Sequence, residues 1–210
     1  MFEKQVSLFT SFAKEHGLEL PENFLGKILE FCEILLEANK STNLVSKNDS
    51  QKLLTRHVAD SLVFACCLNH DSDRYIWADI GSGAGFPVVP LCVYFPQVKF
   101  YAIESRKKRC EFLEFVRQKL DLRNLEIVRG NTCSRTPNIV SCRAVGSLEN
   151  DFELAKKILK KGGHFLTLKS KRIIDELKAK NSSLLKRANV WNYRLPEEEM
   201  EYALVHIFLP

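Results

Sequence analysis

The sequence predicts an α/β protein, a mostly parallel sheet wrapped by helices with a helical segment ahead of it. From Tyr75 onward, short apolar runs alternate with stretches of helical period, the layout of parallel strands linked by crossover helices. The first of these runs, Tyr75-Ile76-Trp77-Ala78, leads straight into Asp79-Ile80-Gly81-Ser82-Gly83-Ala84-Gly85-Phe86-Pro87. The chain closes on two apolar runs, Val190 to Leu195 and Tyr202 to Phe208, joined by the short turn Pro196-Glu197-Glu198-Glu199. Strands joined that tightly are antiparallel, because a parallel return needs a long crossover.

Each element has its own signal. Phe2, Val6, Phe9, Phe12 and Ala13 recur at helical spacing, and Gly17 is placed to stop that first helix. Pro21 opens a second, with Phe24, Ile28, Phe31 or Cys32, and Leu35 on one face, ending at the polar turn Asn39 to Asn43. A third helix is expected from about Ser50 to Leu68, with Leu54, Val58, Leu62 and Ala65 inward and Asp49 or Ser50 as cap. Strands follow at Tyr75, at Lys99 to Ile103, at Leu125 to Val128, at Ile139 to Cys142 and at His164 to Leu168. Between them lie helices carrying Phe112, Leu113, Val116 and Leu120, then Leu148 to Leu159, and finally Arg172 to Arg187.

A chain of 210 residues with 45% hydrophobic and 27% charged residues supports one substantial core. The net charge of +5 is unevenly spread, with basic clusters at Arg106-Lys107-Lys108-Arg109 and from Lys156 to Arg187. Basic surface beside a ligand edge suits a polyanionic partner, although solvated helix faces explain the same counts. The seven cysteines show no C-x-x-C spacing and sit mostly in apolar surroundings, so reduced thiols are expected rather than disulfides or a metal site. No secretory-signal layout opens the sequence, and no apolar run reaches the roughly 18 residues of a membrane span, so a soluble cytoplasmic protein is expected.

The glycine loop narrows the ligand. Glycines at alternate positions leave backbone bare where a ligand approaches. Gly81, Gly83 and Gly85 read G-x-G-x-G, unlike the G-x-G-x-x-G of dinucleotide folds, and no Walker lysine follows, which excludes a P-loop. Glu104 ends the next strand, where a carboxylate can accept both hydroxyls of a ribose. NAD and S-adenosylmethionine both supply such a ribose; the spacing favours the second, which brings no pyrophosphate. Five parallel strands finished by a helix and an antiparallel strand are the plan of the class I (Rossmann-like) methyltransferase fold. The expectation is therefore a mostly parallel seven-stranded sheet with an antiparallel last strand, plus an N-terminal helical cap. The cap is assigned residues 1–70 and the methyltransferase domain residues 71–210.

Several segments together carry a family likeness. Asn43-Leu44-Val45, Arg56-His57-Val58-Ala59-Asp60-Ser61-Leu62, the loop from Asp79 to Pro87, Ser141-Cys142-Arg143-Ala144-Val145, and Gly162-Gly163 with Lys169 resemble the RsmG (GidB) family, in the expected order from Asn39 to about Ser170. The resemblance implies S-adenosylmethionine as donor, and N7 of a guanine in the decoding-region loop of 16S ribosomal RNA, free or in the small subunit, as acceptor. It also implies cofactor contacts at Gly81 and Phe86, at Thr132 and Cys133 flanking the adenine, and at Arg143. Family members often carry an acidic residue where Cys133 stands and arginine where Asn131 stands. No membrane partner is implied, and a monomer is expected.

Single residues carry further expectations. Asp79 could meet the cofactor's ammonium, directly or through water, or cap loop amides; Gly83 lends bare backbone beside it. Phe86 could pack on the adenosine or on the sheet. His57 and Asp60, three apart on one helical face, are read as tying the cap to the sheet rather than as a catalytic dyad. Lys169, at a strand end on the ligand edge, is read as an RNA-phosphate contact. Cysteine nucleophily is disfavoured by the lack of a Pro-Cys motif, and exocyclic-amine methylation by the lack of Asp/Asn-Pro-Pro-aromatic. Guanine N7 carries a free lone pair and no proton, so no catalytic acid, base or nucleophile is assigned. Arg143 and Lys169 should not bind N7 itself, where a cation would block the lone pair, even though arginine ordinarily takes guanine O6 and N7 together. Methyl transfer to another RNA, a nicotinamide oxidoreductase and a non-catalytic RNA-binding module stand as alternatives. Titration with NAD against S-adenosylmethionine, and a labelled-methyl assay, separate them.

Overall fold

Seven strands form one sheet in the order β3-β2-β1-β4-β5-β7-β6. They are β1 (Ile76–Ile80), β2 (Lys99–Glu104), β3 (Leu125–Arg129), β4 (Ile139–Arg143), β5 (Gly163–Ser170), β6 (Ala188–Arg194) and β7 (Glu201–Leu209). The computed structural model describes residues 2–67, 75–133, 135–143 and 146–210. Leu68, Ser134, Ala144, Val145 and the boundary drawn at residue 70, on which the sequence reading drew, lie outside these. Pairing is parallel from β3 to β5, and β7 runs antiparallel to both β5 and β6. The short Pro196–Glu199 turn enforces that last reversal, as expected. Strand order reverses between β1 and β4, so the connections leaving those strands diverge and open a crevice at their C-terminal ends.

Alternation along the strands sends side chains to two cores. On one face Trp77, Phe100, Ile139, Leu166 and Leu204 pack against α1 (Glu3–Glu15), α2 (Phe24–Thr42) and the segment from Leu53 to Ala65. On the other, Ala78, Ile103, Val140, Phe165 and Val205 meet α6 (Leu148–Lys156) and α7 (Lys171–Ala179). The remaining helices are α3 (Ala59–Val63), α4 (Val88–Tyr94) and α5 (Lys107–Lys119). Among the described residues, no helix is long and apolar enough to cross a membrane.

Three expectations about helices need correction. The single helix expected from Ser50 is a 3-10 turn (Asp49–Gln51), a π-helical stretch (Leu53–Val58), α3, and a second 3-10 turn (Phe64–Cys67). Leu53, Leu54, Thr55, Val58, Ala59 and Ser61 are all buried, so this segment is gripped on every side. Its winding follows the packing around it rather than one amphipathic stripe. The polar turn expected at Asn39 is instead the last turn of α2. The Asn39 amide bonds both the N–H and the C=O of Val45, and Asn43, at φ 48, closes the helix in the left-handed region. Helix α7 stops at Ala179 rather than near Arg187, because Asn181 adopts φ 53.

Candidate active site

The loop after β1 is shaped by its glycines. Gly81, Gly83 and Gly85 have φ of 74, 54 and 93, a region that costs other L-residues strain. The Gly81 and Ser82 amides donate to the Ile103 carbonyl, and the Gly83 amide donates to Glu104 Oε2 at 3.0 Å. Glu104 Oε1 takes the Arg106 amide at 2.9 Å, while Arg109 Nη1 lies 3.7 Å from Oε2. This carboxylate, 4% exposed, thus spans the loops after β1 and β2. Oε1 also takes the Ser105 hydroxyl at 3.4 Å, while Oε2 retains a lone pair beyond the amide it accepts. Above it opens a cavity of about 470 Å³, with Gly81, Gly83, Phe86, Glu104, Arg106 and Arg143 in its wall. Val45, Asp49 and His57 close it from the cap side.

Asp79 lies beneath the loop, 1% exposed and outside the cavity wall. The Trp77 indole N–H donates to Ser141 Oγ at 2.9 Å, and the Ser141 hydroxyl donates to Asp79 Oδ1 at 2.8 Å. Oδ2 is buried with no hydrogen-bond partner among the described residues. Burial pushes the Asp79 carboxyl up to about 7, against the hydrogen bonds of Ser82 and Ser141 and the charge of Arg143. An orphaned acceptor of this kind fits a ligand that brings a cation or an ordered water.

Arg143 ends β4 and fastens the cap to the sheet. Its Nη1 donates to Asp60 Oδ2 at 3.2 Å and its Nη2 donates to His57 Nδ1 at 3.1 Å. Asp60 Oδ1 also accepts the Tyr193 hydroxyl. Phe86 stacks on the His57 ring, 5.0 Å between centroids, with the Arg143 guanidinium 5.3 Å from its own centre. Phe86 therefore packs on the cap and on Arg143. Burial, then the charge of Arg143, pushes His57 down to about 3, so the ring is neutral at physiological pH. Arginine can only donate, so Nδ1 accepts and the ring proton sits on Nε2. His57 and Asp60 do tie the cap to the sheet, as the sequence suggested, but through Arg143 rather than through each other.

A family model for rRNA small subunit methyltransferase G (GidB) matches residues 25–199. The chain belongs to that family. Curated relatives named ribosomal RNA small subunit methyltransferase G include one from Staphylococcus carnosus, 34% identical, the match covering 78% of this chain and 72% of the relative. Another, from Staphylococcus saprophyticus, is 30% identical over 96% of this chain and 89% of its own length. Among solved structures, a SAM-dependent O-methyltransferase from Thermotoga maritima superposes with a TM-score of 0.54 at 18% identity, covering 84% of this chain and 72% of its own. An rRNA methylase from Streptococcus thermophilus gives 0.52 at 16% identity over 74% and 98%. The chain thus has a class I methyltransferase fold, as the alternating strands and helices and the final antiparallel strand predicted.

Not every family-implied residue meets in the cavity. Thr132 is exposed, and Cys133 packs partly on the second core, its thiol donating to the Arg135 carbonyl at 3.1 Å. Neither side chain is in the cavity wall. Lys169, expected to offer its charge to RNA phosphate, instead donates to Asp151 Oδ2 at 2.6 Å and to the Gly146 carbonyl at 2.8 Å, its side chain 5% exposed. Asp151 on α6 thus already matches the Lys169 charge. Cys142 and Cys133 are both pushed up by burial, which argues against thiolate chemistry. Sequence reasoning passed over Asp49 and Arg106 as wall residues. Arg106 had a signal in the basic cluster after Glu104, whereas Asp49 read only as a helix cap.

Proposed function

We propose that this protein transfers a methyl group from S-adenosylmethionine to N7 of a guanine in the decoding-region loop of 16S ribosomal RNA. The observation that carries this reading is the crevice at the β1–β4 switch point, where the glycine loop and Glu104 meet in a chain of this family. When bound, the donor supplies a methyl group on a positively charged sulfur. Glu104 would accept one ribose hydroxyl on Oε2 and the other on Oε1 in place of the Ser105 hydroxyl, and Gly81 and Gly83 would let the backbone approach. Asp79 Oδ2 would take the ammonium, directly or through water, and Arg143 and Phe86 would close the side toward the cap. Thr132 and Cys133 are assigned the adenine edge through their backbone.

No residue needs to remove a proton, since N7 has none. The protein's task is to hold and align, and alignment of this kind supplies up to about 7–11 kcal/mol. The guanine ring becomes cationic as N7 is methylated, so unbalanced positive charge nearby would oppose the reaction. Arg143 and Lys169 meet that requirement, each being paired with a carboxylate, Asp60 and Asp151. The cap of residues 1–70 is read as part of the site, built onto the methyltransferase domain of residues 71–210. We read the protein as a cytoplasmic monomer acting on ribosomal RNA or the small subunit. Small-subunit RNA lacking the modification should take up labelled methyl from the donor. The same RNA with 7-deazaguanine at the target should take up none; transfer to it would show that another atom is the acceptor.

A further inference from the structure

A second cavity, of about 420 Å³, lies over the ends of β4 and β5, where Gly146, Leu168 and Ser170 form part of its wall. It shares Asp49, His57 and Arg143 with the cavity over β1 and β2. The two cavities therefore adjoin along these three residues. Its remaining lining includes the apolar or aromatic Ile173 and Tyr202 and the cation Arg56. Ile173 is 38% exposed and sits where a flat ring could cover it.

Most charges here are already matched within the protein. Arg143 holds Asp60, Lys169 holds Asp151, and Arg56 donates to Glu198 at 3.1 Å. Asp49 differs. Its Oδ2 accepts the Ser46 hydroxyl at 2.7 Å, and its own amide donates back to Ser46 Oγ, which fixes the loop. Its Oδ1 takes no hydrogen bond among the described residues, with His57 Nε2 at 3.4 Å and Arg56 Nε at 3.7 Å, and the side chain is one-third exposed. Burial works against ionisation, but the Ser46 hydroxyl, then His57 and Arg56, overcome it, holding the carboxyl below its ordinary range.

We propose that this second cavity receives the target base, and that Asp49 reads guanine by accepting its N1–H and N2–H, with Arg56 beside it for O6. The assignment rests on the guanine-N7 reading above and adds the residue that selects the base. Guanine presents two adjacent donors to a carboxylate, whereas adenine presents an acceptor at N1 and is repelled. The same contact assists the reaction. As the N7 lone pair forms its bond to carbon, positive charge enters the purine and N1–H becomes more acidic. The hydrogen bond to Asp49 then strengthens between ground state and transition state while N1 keeps its proton.

The test uses small-subunit RNA reassembled with guanosine or with inosine, which lacks the 2-amino group, at the target position. Wild-type protein should methylate the inosine RNA at least about tenfold more slowly, the worth of a hydrogen bond to a charged group. Asp49→Ala should be about 10- to 100-fold slower on guanosine and should lose most of the distinction between the two RNAs, since the contacts are coupled. Asp49→Asn, which keeps the bond to Ser46, should fall between and covers the case in which alanine unfolds the loop. An undiminished inosine penalty in both variants, or wild-type rates on guanosine, would overturn the role of Asp49. If instead wild-type protein methylates the guanosine RNA at an atom other than N7, the functional reading fails, and this assignment with it.

Discussion

Asp79 shows how a buried group can link stability to ligand binding. Burial lifts its carboxyl from the ordinary 3.8 to about 7, so between those values the folded chain holds a proton that the unfolded chain has released. Its contribution to stability is therefore full below about pH 4 and is lost as pH rises toward and through 7. A cation reaching Oδ2 reverses that penalty by favouring the ionised form. Donor affinity should accordingly fall as pH is lowered from 8 to about 6, with proton release on binding, and Asp79→Asn should flatten the dependence. Calorimetry across that range in buffers of different ionisation enthalpy checks this; an unchanged slope in the variant would remove Asp79 from the ammonium site. Glu104 and the glycines were legible from sequence because strand, loop and carboxylate lie in one short stretch. The pairing of Lys169 was not legible, because its partner Asp151 belongs to α6 and only the folded chain brings the two together.

At the scale of elements, the site depends on how the cap meets the glycine loop. A Cβ at Gly85 would lie 3.0 Å from both Phe31 Cζ and Val89 Cγ2, at a φ of 93. Gly85→Ala should therefore destabilise the protein by about 1–3 kcal/mol, seen as a lower urea midpoint with an unchanged slope. Asp60 ties α3 to Arg143 and to Tyr193 on β6. Asp60→Ala strands a guanidinium and a hydroxyl and should cost about 3–5 kcal/mol. Thermal unfolding measures it, and a loss below about 1 kcal/mol would mean that the latch is solvated. Strands were easy to find because buried parallel strands read as continuous apolar runs. The segment from Asp49 to Cys67 was not, since its apolar residues are buried on more than one face and its winding answers to neighbours far away in sequence. The reader proposed for the base, Asp49, sits at the start of this same segment, one-third exposed, and read from sequence only as a helix cap.

On the scale of the whole molecule, one sheet with a reversal in strand order gives two adjacent cavities, which adjoin at Asp49 and His57 of the N-terminal segment and Arg143 at the end of β4. The sheet is generic to the fold; the cap loop carries the residues that would make it selective. Methyl transfer to guanine N7 has a direct chemical signature, because borohydride and aniline break RNA at 7-methylguanosine. Small subunits from cells lacking this protein should be incubated with it and labelled donor, and the treated RNA read by primer extension. A single new break at a guanine in the decoding-region loop, matching the label in amount, is the expected result. Label incorporated without any aniline-sensitive break would contradict methylation at N7.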